Sequence, residues 1–315
     1  KAMGVERSKR NDADIDYTFA QVAVGRPLVD YSANCGNMSS SVGPFAVEEG
    51  IFPVPDGEAV IRMYNTNTDI CVHSTFGVEG GRAVTGGDFE VPGVPGTGAP
   101  VRLDFMDPSR VTGKGLLPTG NVHETMEAPG YGEVEVSIVD ATALGVFVAA
   151  EPFGLNGGEL PAEIEARSGI LAALDSIRRE AAVRAGLCRT PEEAPLASPR
   201  VALVAPPTSF VSLDGREHDA ASFDLAVRML SMETVHRAVM VTGAMCLAAA
   251  TCVEGSVPNS LASGIGEGGS VKLGNPSGVT VVGASVSRND GAWRAEKTTI
   301  LRTSRRLMEG FVFHP

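Results

Sequence analysis

Apolar and polar residues alternate along Ile15–Val22, Ala59–Tyr64 and Val101–Phe105, and a period of two places every second side chain on one face of a strand. The opening third therefore reads as sheet. Gly86 to Pro100 is dense in glycine and proline and reads as a loop. Strands resume past Pro129 with Val134–Val139 and Gly145–Ala150. The period then changes: Ile164, Ile170, Leu171, Leu174 and Ile177 recur at helical spacing, Pro161 suits a first turn and Gly186 a stop. One helix is predicted over 161–187. Val201–Ala205, ahead of a proline pair, is a buried strand, and Phe223–Leu230 opens a helical region. Val235–Cys252 is a second helix, apolar on every side and so buried. Gly278–Ser287 and Thr298–Thr303 are the closing strands.

The small, apolar run Ser41–Val47 predicts another buried helix near the start of the chain. Each half thus repeats one plan, strands around a buried helix. The expected architecture is α+β, two similar domains of curled, mostly antiparallel sheet, with the active site in the cleft between them. The boundary is placed between Asn121 and Pro129, giving domains 1–125 and 126–304. Residues 305–315 are expected to return to the first domain, Leu307–Val312 completing its sheet. No short repeat period is present, so the likeness of the halves is architectural.

At 315 residues and 43% hydrophobic, the chain can bury two cores. A formal net charge of −12 argues against nucleic acid as a partner, because phosphate binding requires a basic face. A small anion needs only local positive potential. The five cysteines are an odd number without metal spacing, which fits a reducing cytoplasm. His73, His123, His218 and His314 make no metal pattern either. No signal peptide is evident, and the apolar run Ala238–Val253 is too short to span a membrane. The chain opens on Lys1 rather than methionine and is read as a piece of a longer one. Gly264–Gly269 lacks the lysine-serine pair and the strand-to-helix setting of a phosphate loop. Glu48-Glu49 reads as a solvated helix end.

Chemistry concentrates at Asn34-Cys35-Gly36-Asn37-Met38-Ser39-Ser40. A thiol at a helix start meets free amide N–H groups and the positive end of the dipole, which favour a thiolate or a bound carboxylate. The competing reading is a small buried hydrophobe. His236, at the predicted start of the second buried helix, is a reactive group or a helix cap, and Arg237 is the alternative for carboxylate pairing. Thr119-Gly120-Asn121 and Ser277-Gly278 are small loop residues with exposed N–H groups, suited to carboxylates and equally to ordinary turns.

Asn34–Ser40, Pro118–Asn121, Gly274–Gly278 and the closing Leu307–Val312, in this order and spacing from Lys1 to Pro315, resemble the PrpF family of methylaconitate isomerases. That family belongs to the diaminopimelate-epimerase-like superfamily. The resemblance implies cofactor-independent proton transfer on an unsaturated acid: 2-methylaconitate, aconitate, methylitaconate or 4-oxalomesaconate. It also implies a catalytic lysine 34 residues before the cysteine, which here is Lys1. The family's upstream Arg-Gly-Gly substrate loop is absent from this sequence. Lys1, Cys35 and His236 become the expected catalytic residues. Asn34, Gly36, Asn37, Met38, Ser39, Thr119, Gly120, Asn121, Asn275, Ser277 and Gly278 become the expected substrate contacts. Many relatives carry histidine where this chain has Asn275. The implied partner is a tri- or dicarboxylate, with no metal, nucleic acid or membrane, and a homodimer is left open. An allylic shift removes a proton from carbon and returns one elsewhere, so a lysine beside a cysteine supplies both acid and base, their titration belonging to the pair. Which is the base stays open. Two other readings compete: an amino-acid racemase or epimerase, which wants a cysteine from each domain, and a non-catalytic accessory to a methylcitrate dehydratase.

Overall fold

The alternating stretches form strands. The computed structural model describes residues 1–22, 27–31, 34–311 and 313. Two compact units result, Lys1–Leu103 with Leu301–Pro315, and Asp104–Ile300.

In the first unit β1 (Ala2–Arg7), β2 (Ile15–Val22), β3 (Gly57–Asn65), β4 (Ile70–Glu79) and β5 (Pro100–Met106) lie side by side in that order, β5 running on past Leu103. β1 is antiparallel to β2, β2 parallel to β3, and β3 antiparallel to β4. Ile15, Tyr17 and Phe19 of β2 turn inward to meet Ile61, Met63, Val72 and Phe76, all buried. Two short helices follow the cysteine: α1 (Gly36–Ser39) and α2 (Val42–Glu48). A side chain at Gly43 would lie 2.7 Å from both Ser74 Oγ and Phe76, so glycine lets α2 approach β4. The prediction of one fully buried helix is corrected here. The helix breaks at Ser40-Ser41, where the Ser40 and Ser41 hydroxyls donate to the carbonyls of Asn37 and Met38, both at 2.8 Å. Phe45 of α2 is also 42% exposed.

The second unit contains β6 (Glu124–Ala128), β7 (Gly132–Ala141), β8 (Ala143–Ala149), β9 (Arg200–Ala205), β10 (Leu225–Ser231), β11 (Ser270–Asn275), β12 (Gly278–Asn289) and β13 (Ala292–Thr303). They are neighbours in that order, β13 continuing into the first unit's return segment. β8/β9 and β10/β11 pair in parallel, and β6/β7, β7/β8, β9/β10, β11/β12 and β12/β13 pair antiparallel. The predicted 161–187 helix is two, α3 (Pro161–Glu165) and α4 (Ile170–Ala185), because Gly169 takes a left-handed φ of 83° between them. α4 lays Ile170, Ala173, Leu174, Ile177 and Ala181 on a core shared with Val146, Val148, Val201 and Leu203. α5 (Val241–Thr251) is buried throughout except at Thr242 and packs on β7, β8 and β12. A side chain at Gly243 would lie 2.4 Å from Met229 Sδ. A second short helix, α6 (Val257–Leu261), follows it.

Two helix readings are overturned. Phe223–Leu230 carries β10, buried from Leu225 through Leu230 and paired with strands on both sides. A strand covered on both faces shows no alternation, and Leu, Ala, Arg and Met are good helix formers. Val235–Cys252 shortens to α5, since Thr234–Val235 turns back antiparallel on the end of β10. The unit boundary falls at Leu103/Asp104, earlier than 121–129. Residues 107–122 are bound to β7: Asp140 N donates to the buried Leu116 carbonyl at 2.9 Å, Thr112 N and Oγ1 donate to the Asp140 carboxylate at 2.7 Å, and Ser137 Oγ donates to Val122 O at 2.7 Å. The return to the first unit begins at Leu301, and residues 304–311 contain no strand, so Leu307–Phe311 does not complete a sheet. Val312 and His314 lie outside the described residues. Gly264–Gly269 ends in a single 3₁₀ turn that leads into β11 rather than a helix.

Candidate active site

The lysine found by counting back from the cysteine is beside it. Lys1 Nζ lies 3.6 Å from Cys35 Sγ and 6.0 Å from the centre of the Phe19 ring. Lys1 leads directly into β1, whose register on β2 (Ala2 opposite Ala20) fixes where the lysine emerges. Cys35 is half-buried and stands at the N-cap of α1 with φ −113° and ψ 100°. One helical turn aligns few peptide dipoles, so the charged group next to the sulfur is the Lys1 ammonium, and the helix-dipole argument gives way to it.

A buried polar cluster sets the backbone of Cys35. Asn34 Oδ1 accepts the Cys35 N–H at 2.7 Å, and Asn34 Nδ2 donates to the Tyr17 hydroxyl at 3.2 Å. Ser39 Oγ lies 3.1 Å from Cys35 O, 3.3 Å from Asn34 Oδ1 and 3.2 Å from the Tyr17 oxygen. Burial pushes the Tyr17 phenol up to about 12, against its hydrogen bonds to Ser39, Asn34 and Asn65, so it remains a neutral donor at neutral pH. Asn34 and Ser39 therefore brace the backbone that carries the thiol. Gly36 is buried, Met38 half-buried and Asn37 exposed. Asn37 Oδ1 accepts from Arg302 Nε at 3.0 Å, a partner missed in the sequence because it lies 265 positions away and outside any motif.

A groove of about 900 Å³ runs between β1, α2 and residues 304–311. Lys1 is on its wall with Arg305 and Arg306, set against Glu48, Glu49 and Glu309, but Cys35 is not. Glu48 and Glu49 end α2 as expected, Glu49 exposed, and they do more than face solvent. They pair with Arg306, Glu48 at 3.2 Å, and hold the return segment against α2.

In the second unit His236 precedes α5, whose N-cap is Met240, instead of starting it. Its backbone N–H donates to Met229 O at 2.8 Å, and its ring Nδ1 accepts from Ala238 N at 3.0 Å. In the neutral ring Nε2 then carries the proton and is the free donor. Arg237 and the Ser277 turn come together: Ser277 Oγ donates to Arg237 O at 2.7 Å. Asn275 is fully buried, with Nδ2 donating to Leu273 O and Thr280 Oγ1 and Oδ1 accepting from Ser277 N. Its side chain is used by its own turn. Gly278 is buried with φ 124°.

Thr119, Gly120 and Asn121 form a separate turn, with Gly120 at φ 81° and its N–H on Leu117 O at 2.9 Å. The Asn121 amide reaches Glu124 at 3.5 Å, and Glu124 pairs with Arg184 of α4 at 3.0 Å. Burial raises the Glu124 pKa, but the hydrogen bonds from Thr119, Arg184 and Asn121 outweigh it and hold the carboxyl below its ordinary 4.5. A depressed carboxylate stabilises the fold above its ordinary pKa and ceases to do so as pH falls through the folded value. Glu124→Gln is expected to cost about 1 kcal/mol at pH 7. In urea titrations that difference should close well below pH 4.5; a gap independent of pH would mean that the charge is not what Glu124 contributes.

The remaining candidates are structural. The Cys246 thiol donates to Val139 O at 3.3 Å and is pushed up to about 12 by burial, so it is not a second reactive cysteine. His218 stacks on Phe210, and His123 contacts Gly255 O. Among the described residues no group of three His, Cys, Asp or Glu could hold a metal, and no helix is long and apolar enough to cross a membrane.

The family profile described as "PrpF protein" matches residues 1–315. This chain belongs to the PrpF family. A 2-methyl-aconitate isomerase of Cupriavidus necator is 37% identical over 324 aligned residues, covering 100% of this chain and 82% of the relative. A solved structure, methylitaconate-delta-isomerase, superimposes with a TM-score of 0.88 at 35% identity, covering 98% of this chain and 79% of that one. A hydroxyproline epimerase from Agrobacterium vitis shares only the fold, with a TM-score of 0.54 and 14% identity over 96% of this chain and 73% of its own. The PrpF chain therefore has the diaminopimelate-epimerase-like fold expected of it.

Proposed function

We propose that this PrpF-family isomerase shifts a double bond, or its cis/trans geometry, in an unsaturated tricarboxylic acid of the methylaconitate class, using Lys1 and Cys35. The observation that carries the reading is the 3.6 Å approach of the Lys1 ammonium to the Cys35 sulfur. One member of the pair takes a proton from the carbon next to the double bond. The C–H electrons form a new C=C, and the old π pair moves onto the conjugated carboxylate, giving a dienolate. A proton delivered to a different carbon, or to the other face, completes the isomer with no net change in atoms or electrons. Two adjacent groups that exchange roles suit this sequence, and a cation beside the dienolate lowers its energy. The parts of His236, the 119–121 turn and the 277–278 turn rest on the family resemblance.

The racemase reading loses support because Cys246 is sealed in the core. Incubating the protein with 2-methylaconitate, cis-aconitate or 3-methylitaconate in deuterated water should place solvent deuterium in recovered substrate and product, read by NMR. Absence of exchange with all of these would remove the isomerase reading.

A further inference from the structure

Arg302, near the end of β13, is the one cation besides Lys1 bound to the cysteine segment among the described residues. Its Nε donates to Asn37 Oδ1 at 3.0 Å and its Nη1 to Leu301 O at 2.8 Å. Both acceptors are neutral. No carboxylate among the described residues pairs with it, whereas Arg306, four positions on, has Glu48, Glu49 and Glu309. Partial burial drives the Arg302 pKa down to about 10, so it is still a cation at neutral pH, half-buried and, among the described residues, without a carboxylate beside it. A desolvated cation of this kind is stabilised by an anion that arrives from outside. Among the described residues Nη2 makes no hydrogen bond, and a guanidinium presents such an edge to carboxylates in matching geometry.

We infer that Arg302 receives one carboxylate of the substrate beside the Lys1–Cys35 pair, while its Nε orients Asn37. This rests on the isomerase reading. The Asn37 contact fixes the plane of the guanidinium, leaving Nη2 as the docking edge. A polycarboxylate is then held at an end that does not react, and its reactive carbon is presented to the sulfur and the amine.

The experiment is calorimetric titration of 2-methylaconitate, a tricarboxylate, into the wild type, Arg302→Gln and Arg302→Lys, with thermal unfolding and steady-state kinetics on each. The glutamine variant should weaken binding about 30-fold or more, as loss of a desolvated charge partner does, and raise KM more than it lowers kcat. The lysine variant keeps the charge but loses the fork and should recover part of the affinity. Unchanged affinity in both variants would overturn the inference, as would a loss of thermal stability with affinity intact. In either case, deuterium exchange by the wild type would leave the isomerase reading standing. A wild type that neither binds nor exchanges would overturn both. If Arg302→Gln does not fold, the lysine variant decides: affinity equal to the wild type's would count against the fork.

Discussion

Cys35→Ser is expected to lower turnover by about 10²- to 10⁴-fold, the usual contribution of a positioned acid or base, with thermal stability almost unchanged. The expectation follows from what the sulfur touches. Its one polar contact among the described residues is Lys1 Nζ at 3.6 Å, while the backbone around it is fixed by Asn34, Ser39 and Tyr17, none of which needs the thiol. A hydroxyl fits the same space but is a far poorer proton carrier at neutral pH. Deuterium uptake followed by NMR is the direct measure, because it reports proton removal even when net isomerisation is slow. Lys1→Met should be comparably slow, and the double variant little slower than either, since groups acting as a unit are not additive. A C35S enzyme with wild-type exchange would move the chemistry to another residue.

Arg228→Ala is expected to destabilise the second unit by about 3 kcal/mol. Arg228 is 1% exposed, its head 5.2 Å from the Phe210 ring centre. Its guanidinium donates to the carbonyls of Glu159, Val227 and Gly274. Removing it takes a charged donor from three carbonyls and opens a cavity, partly offset because the desolvation that pulls its pKa to about 10 is relieved. Gly274 leads into the Asn275–Gly278 turn, so the loss should also loosen Ser277. Urea unfolding measures the first effect. Arg228→Lys should fall between, one ammonium being unable to span three carbonyls, and a stability within 0.5 kcal/mol of wild type, roughly the scatter of neutral surface changes, would contradict the assignment.

Strands buried on one face were legible, and Ile15–Val22 is β2 residue for residue. β10 was not, because cover on both faces erases the alternation that marks a strand. The start of α5 was hidden because its N-cap is Met240, with no side-chain cap, inside an unbroken apolar run. At the site, the residues alone marked Cys35, and only the family spacing pointed to Lys1. Arg302 carried no signal, since an arginine ending a strand shows its purpose only through a partner remote in sequence. The burial of Asn275 was equally hidden: a polar residue in a turn looks exposed, and nothing local says that the turn is buried.

The first unit is closed by residues 301–315, and the contact between Asn37 and Arg302 spans 265 positions. During synthesis at about 5–20 residues per second, roughly 13 to 50 s separate the emergence of the two ends of that contact. Lys1 and Cys35 are separated by only 34 positions and can meet early. A nascent chain on the ribosome thus holds its amine and thiol together long before the guanidinium exists, and the second unit's sequence is translated in the interval. If Arg302 receives the substrate as proposed, competence to bind an acid, as distinct from possession of the proton-handling pair, waits until residue 302 has been translated.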